Sequence, residues 1–244
     1  MVTCVAASAL EFSADIESIT DVGAVNERFM REINKYGLYH VNSGEIPPVG
    51  GDMAQFLHIS TMPEEYSRRY LERQYVSRDP VAIATTKCSH PFSWEALCSP
   101  RLFKPRDLAI MYEPREWGIR DGIVAPQRTA DGTLGIVSVA GEKIDMSDRE
   151  KSALLFMMGS LYAHFQGLVG SQMKCGSPYP ALTQRERECL QWVADGESDW
   201  SISEKLKIAE STVHNHIENA KRKYEVSTRV QAVVLAMKSG DIYP

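Results

Sequence analysis

The 244-residue sequence predicts an α+β protein, with an N-terminal α-β-α sandwich on an antiparallel sheet followed by a small all-α domain of four helices. Two observations carry this prediction. Two β-rich runs flank a turn at 131–132, between segments of helical periodicity. Residues 170–181 are rich in Gly, Ser and Pro and have no periodicity, as is typical of a linker. We therefore expect domains at 1–169 and 182–244, joined by this linker.

Helical and extended patterns alternate in the first part of the chain. An apolar stripe predicts a helix over 21–36, and two short β-like runs follow at 38–41 and 56–60. A second helix is predicted over 63–75, because two glutamates stand in its first turn, where they favour the helix dipole. The dipeptide Asp79-Pro80 is predicted to break the chain direction.

The strongest β signal is the segment GIVAPQRTADGTLGIVSVAG at 122–141. Its central Asp131-Gly132 supplies the positive φ angles that a tight hairpin requires. Ser147 and Glu150 then have the spacing of a capping box, which predicts a long helix to about residue 168. The apolar residues on one side of this helix are Leu154, Met157, Met158, Leu161, Phe165 and Leu168. Helices on both sides of a hairpin indicate an antiparallel sheet with helices packed on it.

Four helices are predicted after the linker. Thr183 and Glu186 form a second capping box, and the helix that they open ends at Gly196. The next helices are expected at about 199–206 and 210–224, and the fourth begins near Ser227. The residues expected to be buried are Cys189, Leu190, Val193, Ala194, Ile202, Leu206, Val213, Ile217, Ala220, Tyr224, Val230, Val233, Val234 and Met237.

The third of these helices has a polar face with the chemistry of base recognition. A rotation of about 100° per residue separates this face from the apolar stripe. The face and its flanks hold Ser211, Thr212, His214, Asn215, Glu218, Asn219 and Arg222. Amides, a threonine methyl and an arginine recognise base edges, and the cations at 221–223 suit phosphates. A solvated helix in a bundle has the same pattern, so this face alone leaves both interpretations open.

Composition and charge restrict the class of function. The formal net charge is −5, so any contact with nucleic acid must come from a local patch. Nine basic and ten acidic residues follow position 182, which predicts modest and strongly salt-dependent non-specific DNA affinity. No apolar run approaches the roughly 20 residues that span a bilayer, and no signal peptide is recognised, so a cytoplasmic protein without a membrane partner is expected.

Catalytic and metal motifs are missing from the sequence. The five cysteines have no CxxC spacing, which indicates reduced thiols rather than a disulfide framework or a zinc site. The sequence contains no nucleophile elbow, no phosphate-binding glycine loop and no His or Cys cluster with metal spacing. We therefore expect neither an enzyme nor a resident cofactor.

Residues 181–242 resemble the LuxR-type helix-turn-helix over its whole length. Glu186, Leu190 and Gly196 fall at that family's preferred spacing, and T-V-x-x-H-x-x-N-x-x-x-K at 212–223 matches its recognition helix. The resemblance implies DNA contact through Ser211, Thr212, Val213, His214, Asn215, His216, Asn219, Arg222 and Lys223. In one departure, Ala209 replaces the usual N-cap serine. Losing that cap costs about 1 kcal/mol unless Ser211 caps a shifted start.

The segment MPEEYSRRYLERQYVSRDPVAIATTKCSHPFSWEAL at 62–97 resembles the autoinducer-binding domain of LuxR-type quorum-sensing receptors. A second matching signature is WGIRDGIVAPQR at 117–128. A phosphorylated receiver is excluded, because the domain is about 170 residues long and has no early Asp-Asp pair. The resemblance implies a small molecule, such as an acyl-homoserine lactone, between the sheet and one helix layer. The ligand-binding residues that it implies are Met62, Tyr66, Tyr70, Asp79, Val81, Trp94, Ile119 and Ser138.

The resemblance also implies roles for the polar groups. Asp79 accepts a hydrogen bond from the ligand amide, and Ser138 bonds the acyl carbonyl directly or through water. Without ligand the buried carboxylate is expected to be poorly satisfied, which predicts poor persistence of the free protein. From the residues alone, Asp79 could instead only start a turn, and Tyr70 and Trp94 could be core aromatics.

Two departures affect the polar head group, because Met62 and Tyr66 stand where the family usually has Tyr and Trp. Three alternatives follow: an unusual acyl- or aroyl-homoserine lactone, another small molecule, or a ligand-independent antagonist that dimerises with another regulator. The expected partners are the signal molecule, a second copy of the chain, operator DNA and RNA polymerase. A dimer predicts an inverted repeat with half-site centres about 34 Å apart, and contacts through the helix at 147–168 and the last helix.

Overall fold

We describe a computed structural model, which covers residues 5–47, 53–129, 133–170 and 180–243. The chain divides into two compact units within the stretch 171–179, and each unit is described by itself. The predicted turn at Asp131-Gly132 and most of the predicted linker lie outside the described residues. None of the helices within the described ranges is long and apolar enough to cross a membrane.

The first unit contains seven α-helices and five strands among its described residues, besides short 3-10 turns. The helices are α1 (Val5–Glu17), α2 (Val22–Ile33), α3 (Glu64–Glu72), α4 (Pro80–Lys87), α5 (Trp94–Leu97), α6 (Pro105–Tyr112) and α7 (Asp148–Gly170). The strands are β1 (Leu38–Glu45), β2 (Leu57–Ser60), β3 (Phe92–Ser93), β4 (Asp121–Arg128) and β5 (Leu134–Gly141). All strand pairs are antiparallel, and the order across the sheet is β2-β1-β5-β4-β3.

Helices cover both faces of this sheet. Side chains alternate along β5, so Val137 and Val139 pack in a core with α1, α2 and α7. Ile136 and Ala140 face the opposite side, where they pack with residues of α4, α5 and α6. The predicted α-β-α sandwich with an antiparallel sheet is therefore confirmed.

The local predictions for this unit are confirmed where capping or turn chemistry signals them. The hairpin strands β4 and β5 pair in register, with Val124 opposite Ser138. The capping box before α7 is present, since the Ser147 N–H donates to Glu150 Oε2 at 2.8 Å and the Glu150 N–H donates back to Ser147 Oγ at 3.4 Å. Helices α1, α4, α5 and α6 were not predicted.

The predicted break at Asp79-Pro80 lies between α3 and α4, and these two residues also form the start of α4. Asp79 is the N-cap, and its side chain accepts a hydrogen bond from the Val81 N–H. Pro80 occupies the first helical position, where its missing N–H costs no hydrogen bond. An Asp-Pro dipeptide is compatible with a turn and with a helix start, and in this protein it starts a helix.

The second unit contains the four predicted helices, α8 (Gln184–Ala194), α9 (Asp199–Leu206), α10 (Glu210–Lys223) and α11 (Arg229–Lys238). The capping box at Thr183 is present, and Gly196 follows α8 with a φ of 85°. Helix α10 begins without a side-chain cap at Ala209. Ser211 lies inside the helix, so it does not cap a shifted start.

The predicted buried stripe of α11 is partly wrong. Val230 and Val234 are 66% and 46% exposed, whereas Ala232, Val233 and Ala236 are buried. The buried face is thus rotated from the valine stripe toward two alanines, whose small side chains allow close packing against α8. Hydrophobicity alone predicts that the valines are buried, whereas close packing against α8 buries the smaller alanines instead.

Candidate ligand cavity and nucleic-acid interface

The first unit contains a cavity of about 400 Å³ between the sheet and helices α3 to α6. This volume is within the range of small-molecule sites, about 300 to 1,000 Å³. Seven predicted ligand residues line it: Met62, Tyr66, Tyr70, Asp79, Val81, Trp94 and Ser138. Ile119 does not, because it is fully buried among Leu108, Met111 and other core residues behind the cavity wall.

The Asp79 carboxylate is positioned by two helices. Tyr70 Oη, from α3, donates to Asp79 Oδ2 at 2.7 Å, and the Val81 N–H of α4 donates to Asp79 Oδ1 at 2.9 Å. Burial raises the pKa of Asp79 above its ordinary value, although both hydrogen bonds oppose this shift. The carboxylate thus accepts two hydrogen bonds without ligand, but they do not fully offset its burial, so the expectation of a poorly satisfied carboxylate holds only in part. Each oxygen still has acceptor capacity for a further donor from the cavity.

Tyr66 places a second polar group in the cavity wall. Its ring packs edge-on against Trp117, with 6.2 Å between centroids, and its Oη lies 3.5 Å from the Ile110 carbonyl oxygen. That distance is at the long limit of a hydrogen bond, so little is lost if the hydroxyl turns to a ligand. Burial and the nearby Asp79 raise the pKa of Tyr66, which keeps the phenol protonated as a donor.

Trp94 packs on a glycine of the sheet. A Cβ atom at Gly122 would lie 2.7 Å from Trp94 Cε2 and 2.8 Å from the Val139 carbonyl oxygen. Only glycine therefore fits beneath the indole, which explains its place in the second sequence signature. Trp94 Nε1 is buried and has no hydrogen-bond partner within the part of the chain that the structure describes.

The floor of the cavity includes residues that sequence reasoning missed. Asn42 of β1 pairs with Ser138 on one side and with Ser60 on the other, and all three line the cavity. The sequence predicted β1 only as far as Val41, so Asn42 was not placed in the sheet. Other lining residues that were not predicted include His58, Met111 and Ile136. Period-2 alternation continued to Glu45 would have been the signal for Asn42.

The second unit presents the outer face of α10. Ser211, His214, Asn215 and Arg222 are exposed, as predicted for residues that could reach a groove. Thr212, His216, Asn219 and Lys223 are partly exposed. Val213 is fully buried with Cys189, Ile202 and Ile217. Its predicted DNA contact is therefore wrong, because this position of the family motif serves the core.

The cations at the end of α10 have partners within the unit. Lys223 Nζ lies 2.7 Å from Glu186 Oε2 and donates to the Ala181 carbonyl at 2.8 Å. Burial alone would raise the pKa of Glu186, but the hydrogen bonds from Lys223 and Thr183 hold it below its ordinary value. Lys223 thus ties the end of α10 to the capping box of α8. Arg222 donates to Asn219 on the exposed face.

Both units match known protein families. The sequence profile of the autoinducer binding domain matches residues 21–167, and that of bacterial regulatory proteins, luxR family, matches residues 180–236. The chain belongs to the LuxR family. It is a quorum-sensing transcription regulator with an autoinducer-binding domain and a DNA-binding domain, and its relatives are regulators rather than enzymes.

Individual LuxR-family relatives support this assignment over most of their length. The quorum sensing-dependent transcriptional regulator RpaR of Rhodopseudomonas palustris is 30% identical over 95% of this chain and 93% of its own. The transcriptional activator LuxR of Aliivibrio fischeri is 28% identical over 75% of this chain and 74% of its own. The crystal structure of Escherichia coli SdiA has the same fold, with a TM-score of 0.63, 18% identity and coverage of 97% and 98% of the two chains.

No metal centre is formed by the residues that the structure covers. Among them, no group of three or more His, Cys, Asp or Glu side chains could hold a metal ion. Cys88, Cys98 and Cys189 are free thiols, and burial raises the pKa of Cys189 to about 11.

Proposed function

We propose that this regulator binds an acyl- or aroyl-homoserine lactone in the cavity and operator DNA through α10, as a homodimer. The observation that carries the proposal is the buried Asp79 carboxylate, which lines the cavity and keeps acceptor capacity there. A homoserine lactone presents one amide N–H beside an apolar tail. That combination suits a single buried acceptor in a mainly apolar site.

The other head-group contacts follow from the donors around Asp79. The Tyr66 hydroxyl donates to the lactone carbonyl, replacing the tryptophan that the family usually has at this position. Ser138, on the floor, donates to the acyl carbonyl. Met62 supplies a soft apolar surface where a hydroxyl is usual. Because one of the usual donors is missing, the head group is held mainly by Asp79, Tyr66 and Ser138.

DNA binding is proposed for the exposed face of α10, with Asn215 and Arg222 as base-reading residues and Ser211 beside them. Exposed apolar side chains support a dimer. Phe156 is exposed on α7, and Val230 and Val234 are exposed one turn apart on α11. A two-fold dimer reads an inverted repeat whose half-sites are centred about 34 Å apart, or a multiple of that.

A non-lactone ligand is the second candidate. The structure of SdiA in complex with octanoyl-rac-glycerol has the same fold, with a TM-score of 0.62 and 16% identity. That ligand offers hydroxyl groups beside an acyl chain, which the same acceptor and apolar wall accommodate. Met62 and Tyr66 replace residues that usually contact the lactone ring. A ligand without that ring would lose less from these two replacements.

One experiment tests the ligand assignment. The full chain is expressed with and without a panel of acyl- and aroyl-homoserine lactones, and small molecules that co-purify with it are identified by mass spectrometry. We expect a lactone to be retained in stoichiometric amount and to raise the yield of folded protein. Retention of an acylglycerol in place of every lactone would support the second candidate, and a folded protein without any bound molecule would support the ligand-independent antagonist.

A gel-shift assay tests the DNA face. Asn215→Ala and Arg222→Ala should each weaken operator binding by about tenfold, since a base contact contributes about 1–3 kcal/mol. Ligand retention should not change. Arg185→Ala is the matched control, because it removes one exposed cation from α8, outside the proposed face. Unchanged shifts for both α10 variants would show that the face is assigned wrongly.

A further inference from the structure

One edge of the proposed DNA-reading face of α10 carries charged side chains from three helices. A rotation of about 100° per residue places His214 and Lys221 on that edge, to one side of Asn215 and Arg222. An α-helix with its side chains is about as wide as the major groove, so the edges of a helix in the groove meet the bordering phosphates. The His214 side chain is 63% exposed and therefore available for such a contact.

The permanent charges on this edge cancel. Arg229, at the start of α11, donates to Asp199 Oδ1, at the start of α9. Lys221 Nζ donates to Glu218 Oε1 at 2.7 Å. Two cations therefore face two carboxylates, and the edge has no net charge while His214 is neutral. A proton on His214 gives the edge a net positive charge, as a phosphate contact requires.

His214 joins this cluster through one nitrogen of its ring. Its Nδ1 lies 3.5 Å from Asp199 Oδ2, and Glu218 stands one turn further along α10. Among residues 180–243, no hydrogen bond to Nε2 is formed. A neutral imidazole has a hydrogen on one nitrogen, so a ring that turns Nδ1–H to Asp199 has no donor at Nε2. The protonated ring donates from both nitrogens.

Helix α8 adds no charge beside His214. It packs on the buried side of α10, where Cys189, a thiol whose pKa burial raises to about 11, lies with Val213 in the core. Its Glu186 meets α10 at Lys223, more than two turns away from His214. The groups that surround the imidazole are therefore those of the edge itself.

We propose that His214 binds a DNA phosphate as an imidazolium ion, positioned by Asp199, so that DNA affinity rises when His214 gains its proton. This inference rests on the proposed DNA-binding function and adds to it a contact that depends on pH. The charge of an ordinary histidine changes between pH 5 and 8. Each additional neutralised phosphate steepens the dependence of log affinity on log salt concentration by about 0.9.

The test measures binding of the full-length protein to a short fluorescent duplex by anisotropy, at pH 8 and pH 6 and over a range of salt. The duplex carries the sequence that the protein selects from a random pool. We expect at least about tenfold tighter binding at pH 6, as for one charge-assisted hydrogen bond, and a steeper salt dependence. His214→Gln stays neutral and should lose both differences. His90→Gln, which removes an exposed histidine of the first unit, is the matched control and should keep both.

Two variants test the positioning role of Asp199. Asp199→Asn removes the charge beside Nδ1, while its amide oxygen can still accept from Arg229, so the rise in affinity should begin at a lower pH. Arg229→Gln breaks the same contact but keeps the carboxylate, and the rise should not move to a lower pH. A rise in Asp199→Asn at the pH of the wild type, or an equal displacement in both variants, would overturn this role.

The remaining outcomes separate the inference from the function on which it rests. Equal affinity and salt dependence at both pH values in the wild type, or unchanged differences in His214→Gln, would overturn the phosphate contact and leave DNA binding in place. If wild-type protein that is folded by circular dichroism selects and binds no DNA at either pH, both proposals fail.

Discussion

Replacing Asp79 with Asn separates the two roles of this residue. An asparagine side-chain oxygen can still accept from the Val81 N–H, and Asn is as good an N-cap as Asp, so α4 should keep its start. The negative charge is lost, however. The side-chain NH2 group of Asn would face the Tyr70 hydroxyl and the lactone amide N–H, and all three groups are hydrogen-bond donors. The variant should therefore fold and bind the lactone poorly.

The expected magnitude follows from one hydrogen bond to a charged acceptor, about 1.5–3 kcal/mol. At 1.4 kcal/mol per factor of ten, the dissociation constant should rise roughly 10- to 150-fold. A ligand at 100 times the wild-type dissociation constant stabilises the wild-type protein by about 2.7 kcal/mol. At the same concentration the variant should gain only about 0.3–1.4 kcal/mol.

The free protein should respond in the opposite direction. Because burial raises the pKa of Asp79 in the folded state, the charged form costs stability at pH 7. That cost falls as the pH drops through the raised pKa of Asp79 in the folded protein, and it is lost below the unfolded pKa of about 4, where the carboxyl group is protonated in both states. Without ligand, Asp79→Asn should therefore be more stable than the wild type at pH 7, and this advantage should shrink toward pH 4.

Thermal unfolding with and without lactone, at pH 7 and near pH 4, measures both effects. Tyr70→Phe is the control, because it keeps the carboxylate and removes one of its donors. Binding of the lactone by Asp79→Asn within twofold of the wild type would refute the proposed contact. A free variant less stable than the wild type at pH 7 would refute the argument from burial.

Two further predictions concern packing and charge. Gly122→Ala should destabilise the first unit by about 1–3 kcal/mol, because its new Cβ meets an indole ring at 2.7 Å. Gly159→Ala should not destabilise the unit, because a Cβ there meets no atom within 4 Å. Equal urea unfolding midpoints for the two variants would contradict this packing argument. Lys223→Met should destabilise the second unit by about 2 kcal/mol at pH 7, because the Glu186 side chain is only 5% exposed. The pKa of Glu186 is lowered in the folded protein, so this loss should shrink as the pH falls below about 4. Lys221→Met breaks the more exposed pair with Glu218 and should change stability little, so equal losses in urea titrations would argue against burial as the cause.

Local chemistry made parts of the fold predictable. The capping boxes at Ser147 and Thr183 involve residues only three positions apart, so the sequence alone indicates where α7 and α8 begin. Helix α1 was missed, because Phe12 and Ile16 are its only large buried residues. Its stripe obtains its stability by packing against α7, which lies more than a hundred residues away in the sequence.

The site was predictable where the family resemblance specifies a residue, as at Tyr70, Asp79 and Trp94. Asn42 was not, since a polar residue in a short strand gives no signal until the sheet register places it beside Ser138. The resemblance was also misleading in one place. Val213 belongs to the recognition-helix motif, but only the packing of α10 shows that the motif position is buried.

The sheet of the first unit is one residue thick between two different environments. Ser138 forms part of the cavity floor, while Val137 and Val139, its immediate neighbours in β5, pack against the layer that includes α7. No second layer of side chains lies between them to absorb a displacement. The cavity floor and the surface that packs against the long helix therefore lie on the same strand, within one peptide unit of each other.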